Sequence, residues 1–322
     1  MAQNCRHTRS GAIAVTRGTM GPIAAVVVNY RSAAYLAECI PALFAAGVKH
    51  VVIVENGSGP AERERLGESF GNNERISLCF SDRNLGFGAG VNLGVQSVPP
   101  GFREGFLWIV NPDTVVGVKA AVLLAEALWN DRADIVSPMI YLADGKTIWY
   151  AGGEIELRGG LTRHGMKVPV RQGDVSPVGF MTGAAPMMAR ATWDSLDGFR
   201  EDLFLYWEDT DLSLRARAQS LRLAVVTDAR ICHNVGGSGD ADGKSAAYYY
   251  YMNRNRLIVC GDFAPKMTIL AGNGLRNTLR LWKAALREGT DPWLKFRACI
   301  SGTYAGVLGE TGPREVDEHR RK

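Results

Sequence analysis

The hydrophobic positions of the chain fall into short apolar runs, rich in β-branched residues, that alternate with helical stretches. Residues 22–29 (Pro-Ile-Ala-Ala-Val-Val-Val-Asn) are apolar almost without interruption. Such a run predicts a strand covered on both faces, as in a parallel sheet flanked by helices. Ser32 stands where a cap would, ahead of a predicted helix over residues 33–46 that stops near Gly47. Residues 50–54 predict a second buried strand, and the three pieces make a βαβ unit. Further strands are predicted over residues 75–80, 106–110, 134–138 and 223–226, with helices over 118–130, 190–193 and 212–220. Strands and helices alternating in this way specify an α/β fold.

Ligands on such sheets bind beyond the carboxyl ends of the strands. That rule gathers Asn29 and Tyr30 after the first strand, Glu55 and Asn56 after the second, and Asn111-Pro112-Asp113 after residues 106–110. Asp113, on a turn fixed by proline, is the candidate ligand for a hard cation, because Mg2+ takes one or two carboxylates together with substrate phosphates. An Asx turn is the structural alternative. Between these strands runs Asn84-Leu85-Gly86-Phe87-Gly88-Ala89-Gly90-Val91-Asn92-Leu93-Gly94. Its third glycine falls one place late for G-x-G-x-x-G, which argues against a dinucleotide fingerprint. The segment reads instead as backbone held close to a ligand, with Gly86 and Gly88 permitting approach and Asn84 and Asn92 as polar contacts.

Three carboxylates, Glu208, Asp209 and Asp211, follow the aromatic run Phe204-Leu205-Tyr206-Trp207. Crowding like charges costs free energy unless a cation, a proton or a ligand compensates. A helix start accounts for acids in this position through the macrodipole. The functional alternative makes one of them a general base whose pKa is tuned by its neighbours and the aromatic wall. His233 follows a strand soon afterwards and is placed to share a cation with Asp113.

Residues 141–177 are glycine-rich and predict a β excursion over one face of the sheet, with Arg158, Arg163, His164 and Lys167 read as solvated surface. Residues 236–244 read as a flexible loop suited to ordering over substrate. From Tyr248 a helix begins whose Arg254 and Arg256 could reach a pyrophosphate. Leu275, Leu279, Trp282 and Leu286 form an apolar stripe beside Arg276, Arg280, Lys283 and Arg287. That pattern suits either a peripheral contact with an anionic membrane or a helix docked on the main domain.

Composition narrows the field. With 46% hydrophobic and 22% charged residues the chain can bury a substantial core. A net charge of +4, with 33 acids against 37 Lys and Arg, gives no reason to expect nucleic acid. Six scattered cysteines without a C-x-x-C pair indicate neither zinc nor a disulfide framework, and fit a reducing, cytoplasmic setting. No apolar run is long enough to span a bilayer, and residues 1–21 lack an apolar signal core and read as a flexible leader.

These pieces, in this order and spacing, resemble the inverting family 2 glycosyltransferases of GT-A fold, most closely the bacterial rhamnosyltransferase-like branch. The resemblance covers residues 23–256. It rests on Val28-Asn29-Tyr30, Val54-Glu55-Asn56-Gly57-Ser58, the Asn84–Asn92 segment, Asn111-Pro112-Asp113, Gly183-Ala184 with Met188 and Arg190, Gly198-Phe199 and Trp207-Glu208-Asp209-Thr210-Asp211. It implies a Rossmann-like, mixed and mostly parallel sheet flanked by helices, with a C-terminal helical extension. It further implies that Asp113 is the last acid of a degenerate DxD motif holding Mg2+ or Mn2+ on the donor diphosphate, and that His233 matches a metal-ligating histidine of some relatives. Asp209 matches the catalytic base of the family's ED motif, with Glu208 and Asp211 orienting loops or acceptor. Two departures stand out: Asn111 replaces the first acid that many relatives carry, and Glu55 replaces the usual Asp beside the nucleobase.

The expected organisation is a leader at 1–21, a catalytic domain at 22–256, a helical extension at 257–311 and a disordered tail at 312–322. The expected activity is inverting transfer of a sugar, rhamnose from a dTDP donor, to a glycolipid or polysaccharide at the inner membrane face. UDP-hexose or UDP-galactofuranose donors are the alternative within the class, and a non-catalytic nucleotide-sugar or carbohydrate-binding protein the alternative outside it. A closed homodimer is the base-rate expectation for assembly.

Overall fold

The computed structural model describes residues 19–165, 174–234 and 243–314. Most of the expected substrate loop over 236–244, most of the leader, most of the tail and Lys167 therefore lie outside the described residues. The first half runs β1 (Ile23–Asn29), α1 (Ala33–Ala45), β2 (His50–Asn56), α2 (Pro60–Phe70), β3 (Ile76–Ser81), α3 (Phe87–Gln96) and β4 (Phe106–Ile109). Next come β5 (Thr114–Val116), α4 (Ala120–Trp129), β6 (Ile135–Leu142), β7 (Ile148–Tyr150), β8 (Gly153–Glu156) and β9 (Leu161–His164). After these follow β10 (Val175–Pro177), β11 (Met187–Ala189), α5 (Arg190–Ser195), α6 (Glu208–Ala218) and β12 (Leu223–His233). Three helices, α7 (Ala246–Phe263), α8 (Gly272–Leu286) and α9 (Pro292–Leu308), complete the described chain.

The main sheet has the order β10-β12-β6-β11-β4-β1-β2-β3, with β5 on β12 and β7 on β6. β3, β2, β1 and β4 run parallel, and β12 is parallel to β6. β11 is antiparallel to both β4 and β6 and joins the two parallel parts, which makes the sheet mixed as expected. Every residue of β1 and β2 is buried, because helices cover both faces. One face packs α1 and α4 through Leu36, Leu43, Leu124 and Trp108; the other packs α3 and α6 through Val91, Val95 and Leu212. Truncating a core side chain such as Leu36 would cost roughly 2–5 kcal/mol.

Several expectations are corrected. Ser32 does not cap α1; its hydroxyl donates to Asn29 Oδ1 at 2.9 Å. α2 was not foreseen, since its surface is charged and only Leu66 is buried. β12 is eleven residues long rather than four and carries a bulge between Val226 and Arg230. α7 is continuous from Ala246 to Phe263 and runs without a break across the position of the expected boundary at Arg256. α7 packs backbone to backbone against α9: a Cβ at Gly302 would strike the Tyr250 carbonyl, and one at Gly306 would lie 2.7 Å from the Arg254 carbonyl. The family-like sheet and the extension are thus joined by a shared helix.

Candidate active site

β5 and β12 bring together residues that are remote in the chain. Their antiparallel ladder pairs Thr114 with His233, and Asn234 N donates to Asp113 O at 2.9 Å. The side chains follow: His233 Nε2 lies 3.0 Å from Asp113 Oδ1 and 3.3 Å from Asn111 Nδ2. Asp113 thus leaves the end of β4 through Asn111 and Pro112 and meets the last residue of β12. Nδ1 of His233 is buried with no partner among the described residues, and the edge of Trp149 packs 5.1 Å from the ring.

In front of this pair opens a cleft of about 280 Å³. Tyr30, Tyr35, Asn56, Asn84, Gly86, Phe87, Asn111, Asp113, Phe204 and Leu205 are among its walls. Asn56 organises one side: its Nδ2 donates to Asn84 Oδ1 at 3.2 Å and to the Gly86 carbonyl at 3.0 Å, while its Oδ1 accepts from Leu85 N at 3.0 Å. Gly86 has φ +88° and would drive a Cβ into the Phe204 carbonyl, so only glycine lets the two loops meet there. Phe87 N then donates to that carbonyl at 2.9 Å.

Asp209 stands in the first turn of α6, outside the residues that line the cleft. Gly183 N donates to its Oδ2 at 3.0 Å and Thr210 N to its Oδ1 at 2.7 Å. Burial raises its pKa, and these two donors and His164 pull it partly back. A Cβ at Gly183 would be 3.4 Å from both the Phe87 ring and Asp209 Cβ, so Phe87 of the cleft and the acid flank the same glycine. On the other side His164 stacks on Phe180 at 5.7 Å and meets Trp149 at 4.8 Å. Trp149 therefore touches both His233 and the histidine beside Asp209. His164, read from sequence as solvated surface, is packed in this aromatic wall, where burial lowers its pKa.

The other expected site residues divide. Tyr30, Asn56, Asn84, Gly86 and Asn111 line the cleft with Asp113. Asn29 is fully buried and ties the β1–α1 turn to α2 through Glu62 Oε1 at 3.2 Å. Glu55 is likewise buried, accepting from Ser58 N at 2.5 Å and from Arg63 Nε at 3.2 Å. Both shape the rim from behind it.

A Cβ at Gly88 would lie 3.1 Å from Phe199 Cβ and from the Arg200 carbonyl, and Asn92 closes a two-way bond with the Phe199 backbone at 2.8 and 3.0 Å. Asn92 and Asp211 both line a separate depression of about 690 Å³, not the cleft. Asp211 is spent on Arg215, whose Nε lies 2.7 Å away. Glu208 is buried beside Gly88 with Oε2 unpartnered among the described residues, and burial followed by the charge of Asp209 pushes its pKa up to about 8.

Arg254 and Arg256 do not reach the cleft. Arg254 is buried over the rings of Tyr250 and Tyr251 and donates to the carbonyls of Leu203 at 2.8 Å and Gly312 at 2.6 Å. Arg256 is buried against Thr278 of α8, where desolvation holds its pKa down at about 10. Between them Asn255, which the sequence did not single out, is fully buried. Its Nδ2 lies 2.9, 2.9 and 2.8 Å from the carbonyls of Leu203, Leu205 and Tyr206, the loop leading to Asp209.

A divalent cation on a diphosphate needs a carboxylate and further donors facing one opening. Asp113 and His233 fit: their polar atoms converge at the cleft, although among the described residues no third His, Cys, Asp or Glu joins them. The substitution of Asn111 for an acid is thus a real difference in charge at this point.

An open mixed sheet with a cleft at the strand carboxyl ends, an acid–histidine pair and an opposed carboxylate is the architecture of GT-A glycosyltransferases. The family model described as glycosyltransferase like family 2 matches residues 21–255, and the chain belongs to that family. It is a glycosyltransferase. Over 94% of its length it is 23% identical to the low-salt glycan biosynthesis hexosyltransferase Agl10 of Haloferax volcanii, spanning 96% of that protein. Over 82% it is 24% identical to the N-acetylglucosaminyl-diphospho-decaprenol L-rhamnosyltransferase of Mycobacterium tuberculosis, spanning 97% of it. Its fold is similar to that of the mannosyltransferase PcManGT from Pyrobaculum calidifontis, solved with GDP-Man and Mn2+. The TM-score is 0.56 at 13% identity, over 91% of this chain and 88% of that one. Among the described residues no helix is long and apolar enough to cross a membrane.

Proposed function

We propose that the enzyme transfers a deoxyhexose, rhamnose from a dTDP donor, with inversion to a lipid-linked sugar or polysaccharide at the cytoplasmic membrane face. The observation that carries this reading is the meeting of Asp113 with His233 at a cleft that Asp209 adjoins across Phe87. The name of the Mycobacterium relative supports rhamnose and a lipid-diphosphate acceptor. The hexosyltransferase name of the Haloferax relative supports the second reading, a UDP-hexose or UDP-galactofuranose donor.

In this mechanism the donor lies in the cleft, its nucleoside along Tyr30, Asn56 and Asn84 and its diphosphate toward Asp113. Asp113 and His233 would hold Mg2+ or Mn2+, which would supply charge neutralisation for the departing diphosphate. Asp209 accepts the proton of an acceptor hydroxyl while that oxygen forms a bond to the anomeric carbon. The bond from this carbon to the diphosphate oxygen breaks, and the nucleoside diphosphate leaves from the opposite face. A carboxylate raised in pKa by burial is a stronger base than one in water, and the Gly183 and Thr210 amides keep it aimed and ionised. The aromatic wall of Trp149 and His164 limits water at the reacting carbon.

The test is a donor panel of dTDP-rhamnose, UDP-glucose and UDP-galactofuranose with Mg2+ or Mn2+, followed by NMR of the product's anomeric centre. Turnover with inverted configuration is the expected result. A retained configuration, or binding of every donor without transfer, would contradict the reading.

A further inference from the structure

We propose that α8 and α9 together form a docking face for an anionic lipid surface. The inference stands apart from the transferase reading, because vesicle binding requires no turnover. On α8, Gly274, Thr278 and Ala285 face the protein, while Leu275, Leu279 and Leu286 of the apolar stripe remain exposed. A helix docked on the main domain by that stripe would have covered these three leucines.

α9 repeats the pattern. It buries Ala298, Cys299, Gly302, Ala305 and Gly306, and turns outward Trp293, Arg297, Ile300, Tyr304 and Val307. These recur every three or four residues, so they form one stripe along the helix. Trp293 is 70% and Tyr304 65% exposed. The two helices are joined by the ring contact of Trp282 with Phe296 at 5.8 Å, and within α9 Phe296 meets Trp293 at 6.1 Å. Exposed aromatic and aliphatic side chains on a pair of adjoining helices exceed the scattered apolar residues of an ordinary surface.

Charge identifies the occupant. Arg276, Arg280, Lys283 and Arg287 are exposed and line the flank of the leucine stripe at helical spacing. Residues 272–308 hold six Lys and Arg against two acids, the same net +4 as the whole chain. One of those acids, Glu288, is turned to Tyr249 at 2.7 Å and to Lys295 at 3.5 Å. An apolar stripe edged by cations and carrying Trp and Tyr matches the interface of an anionic bilayer: rings and aliphatic chains at the acyl boundary, cations among headgroups. A second copy of the chain is the weaker partner, because an isologous pairing would set this cationic flank near its own image.

The experiment is co-sedimentation of the full chain with vesicles of phosphatidylcholine alone and of phosphatidylcholine mixed with phosphatidylglycerol. Each cation near the anionic surface contributes roughly five-fold to partitioning. The combined Arg276→Gln, Arg280→Gln, Lys283→Gln and Arg287→Gln variant is therefore expected to bind on the order of several hundred-fold more weakly. Trp293→Ser with Ile300→Ser is expected to reduce binding at every salt concentration. All these positions are exposed, and circular dichroism of each variant verifies the fold. Equal partitioning of wild type and both variants, or no preference for the anionic vesicles, overturns the proposal. So does a concentration-dependent dimer that Trp293→Ser with Ile300→Ser abolishes, together with absent vesicle binding.

Discussion

Asn255 offers a quantitative test of how Asp209, the proposed base, is held. The loop ahead of Asp209 has positive φ at three residues other than glycine: 65° at Phe204, 66° at Tyr206 and 75° at Trp207. Each such residue costs about 1–3 kcal/mol, so the loop persists only where its surroundings hold it. Asn255 supplies much of that hold, with its amide within 2.9 Å of three loop carbonyls. Asn255→Leu keeps the volume and deletes the donors. The Leu203 carbonyl retains Arg254, whereas those of Leu205 and Tyr206 lose the amide. At about 1 kcal/mol for each bond, and more where a carbonyl is left buried and unpaired, destabilisation of roughly 2–4 kcal/mol is expected. Relaxation of the loop also moves Asp209, and a displacement near 1 Å can lower turnover about a hundred-fold. Urea melts measure the first effect. Initial rates at a temperature where the variant remains folded measure the second, with kcat falling more than KM rises. A variant that melts early yet turns over at the wild-type rate per folded molecule would refute a positioning role.

Other consequences follow from the same geometry. The pKa of Glu208, about 8 in the fold against an ordinary 4.5, means the folded protein holds a proton that the unfolded chain releases. Stability therefore falls as pH rises from about 4.5 to about 8, and Glu208→Gln should remove that fall, by up to a few kcal/mol at about 1.4 kcal/mol per unit; equal wild-type and variant melts at pH 4.5 and pH 8 would refute it. Because Asp209 is raised, the acid limb of kcat/KM should lie above the ordinary aspartate range, and a limb at the ordinary value would contradict the assignment. Asp113→Ala and His233→Ala should each weaken Mn2+ binding in the presence of nucleoside diphosphate by on the order of 10–100-fold, read by electron paramagnetic resonance. Unchanged Mn2+ affinity would place the cation elsewhere. Gly86→Ala, at φ +88° and against the Phe204 carbonyl, should lower the melting temperature and weaken donor binding by calorimetry; an unaltered donor affinity would show that the two loops tolerate separation.

The central strands were legible because β1 and β2 are apolar at nearly every position, a pattern that only double-sided burial demands. The rim rule gathers Asp113, Asn56 and Tyr30, and the structure lines one cleft with all three. It did not separate them from Asn29 and Glu55, which share the rim in sequence but face inward onto Glu62 and Arg63. The length of β12 was hidden by Asp228 and Arg230, exposed residues that interrupt its apolar run beyond Val226. α2 was hidden for the opposite reason, having almost no apolar face, although Pro60 at its first turn was a readable start. Arg254 and Arg256 were misread because charge alone does not reveal which face of a helix is packed, and tyrosine rings and backbone carbonyls can satisfy a guanidinium inside a protein. Asn255 and His164 could not be chosen from the sequence, since their roles depend on a loop 49 to 52 residues away in the first case and on the aromatic wall in the second.

Asp209 is the proposed base and the Asp113–His233 pair the proposed cation site of the same reaction. The direct measurement compares wild type with Asp209→Asn for sugar transfer and, separately, for nucleoside diphosphate binding by calorimetry. The substitution preserves shape and removes the proton acceptor, so transfer should fall about 10²–10⁴-fold while nucleotide affinity is retained. Transfer by Asp209→Asn at the wild-type rate would contradict the account.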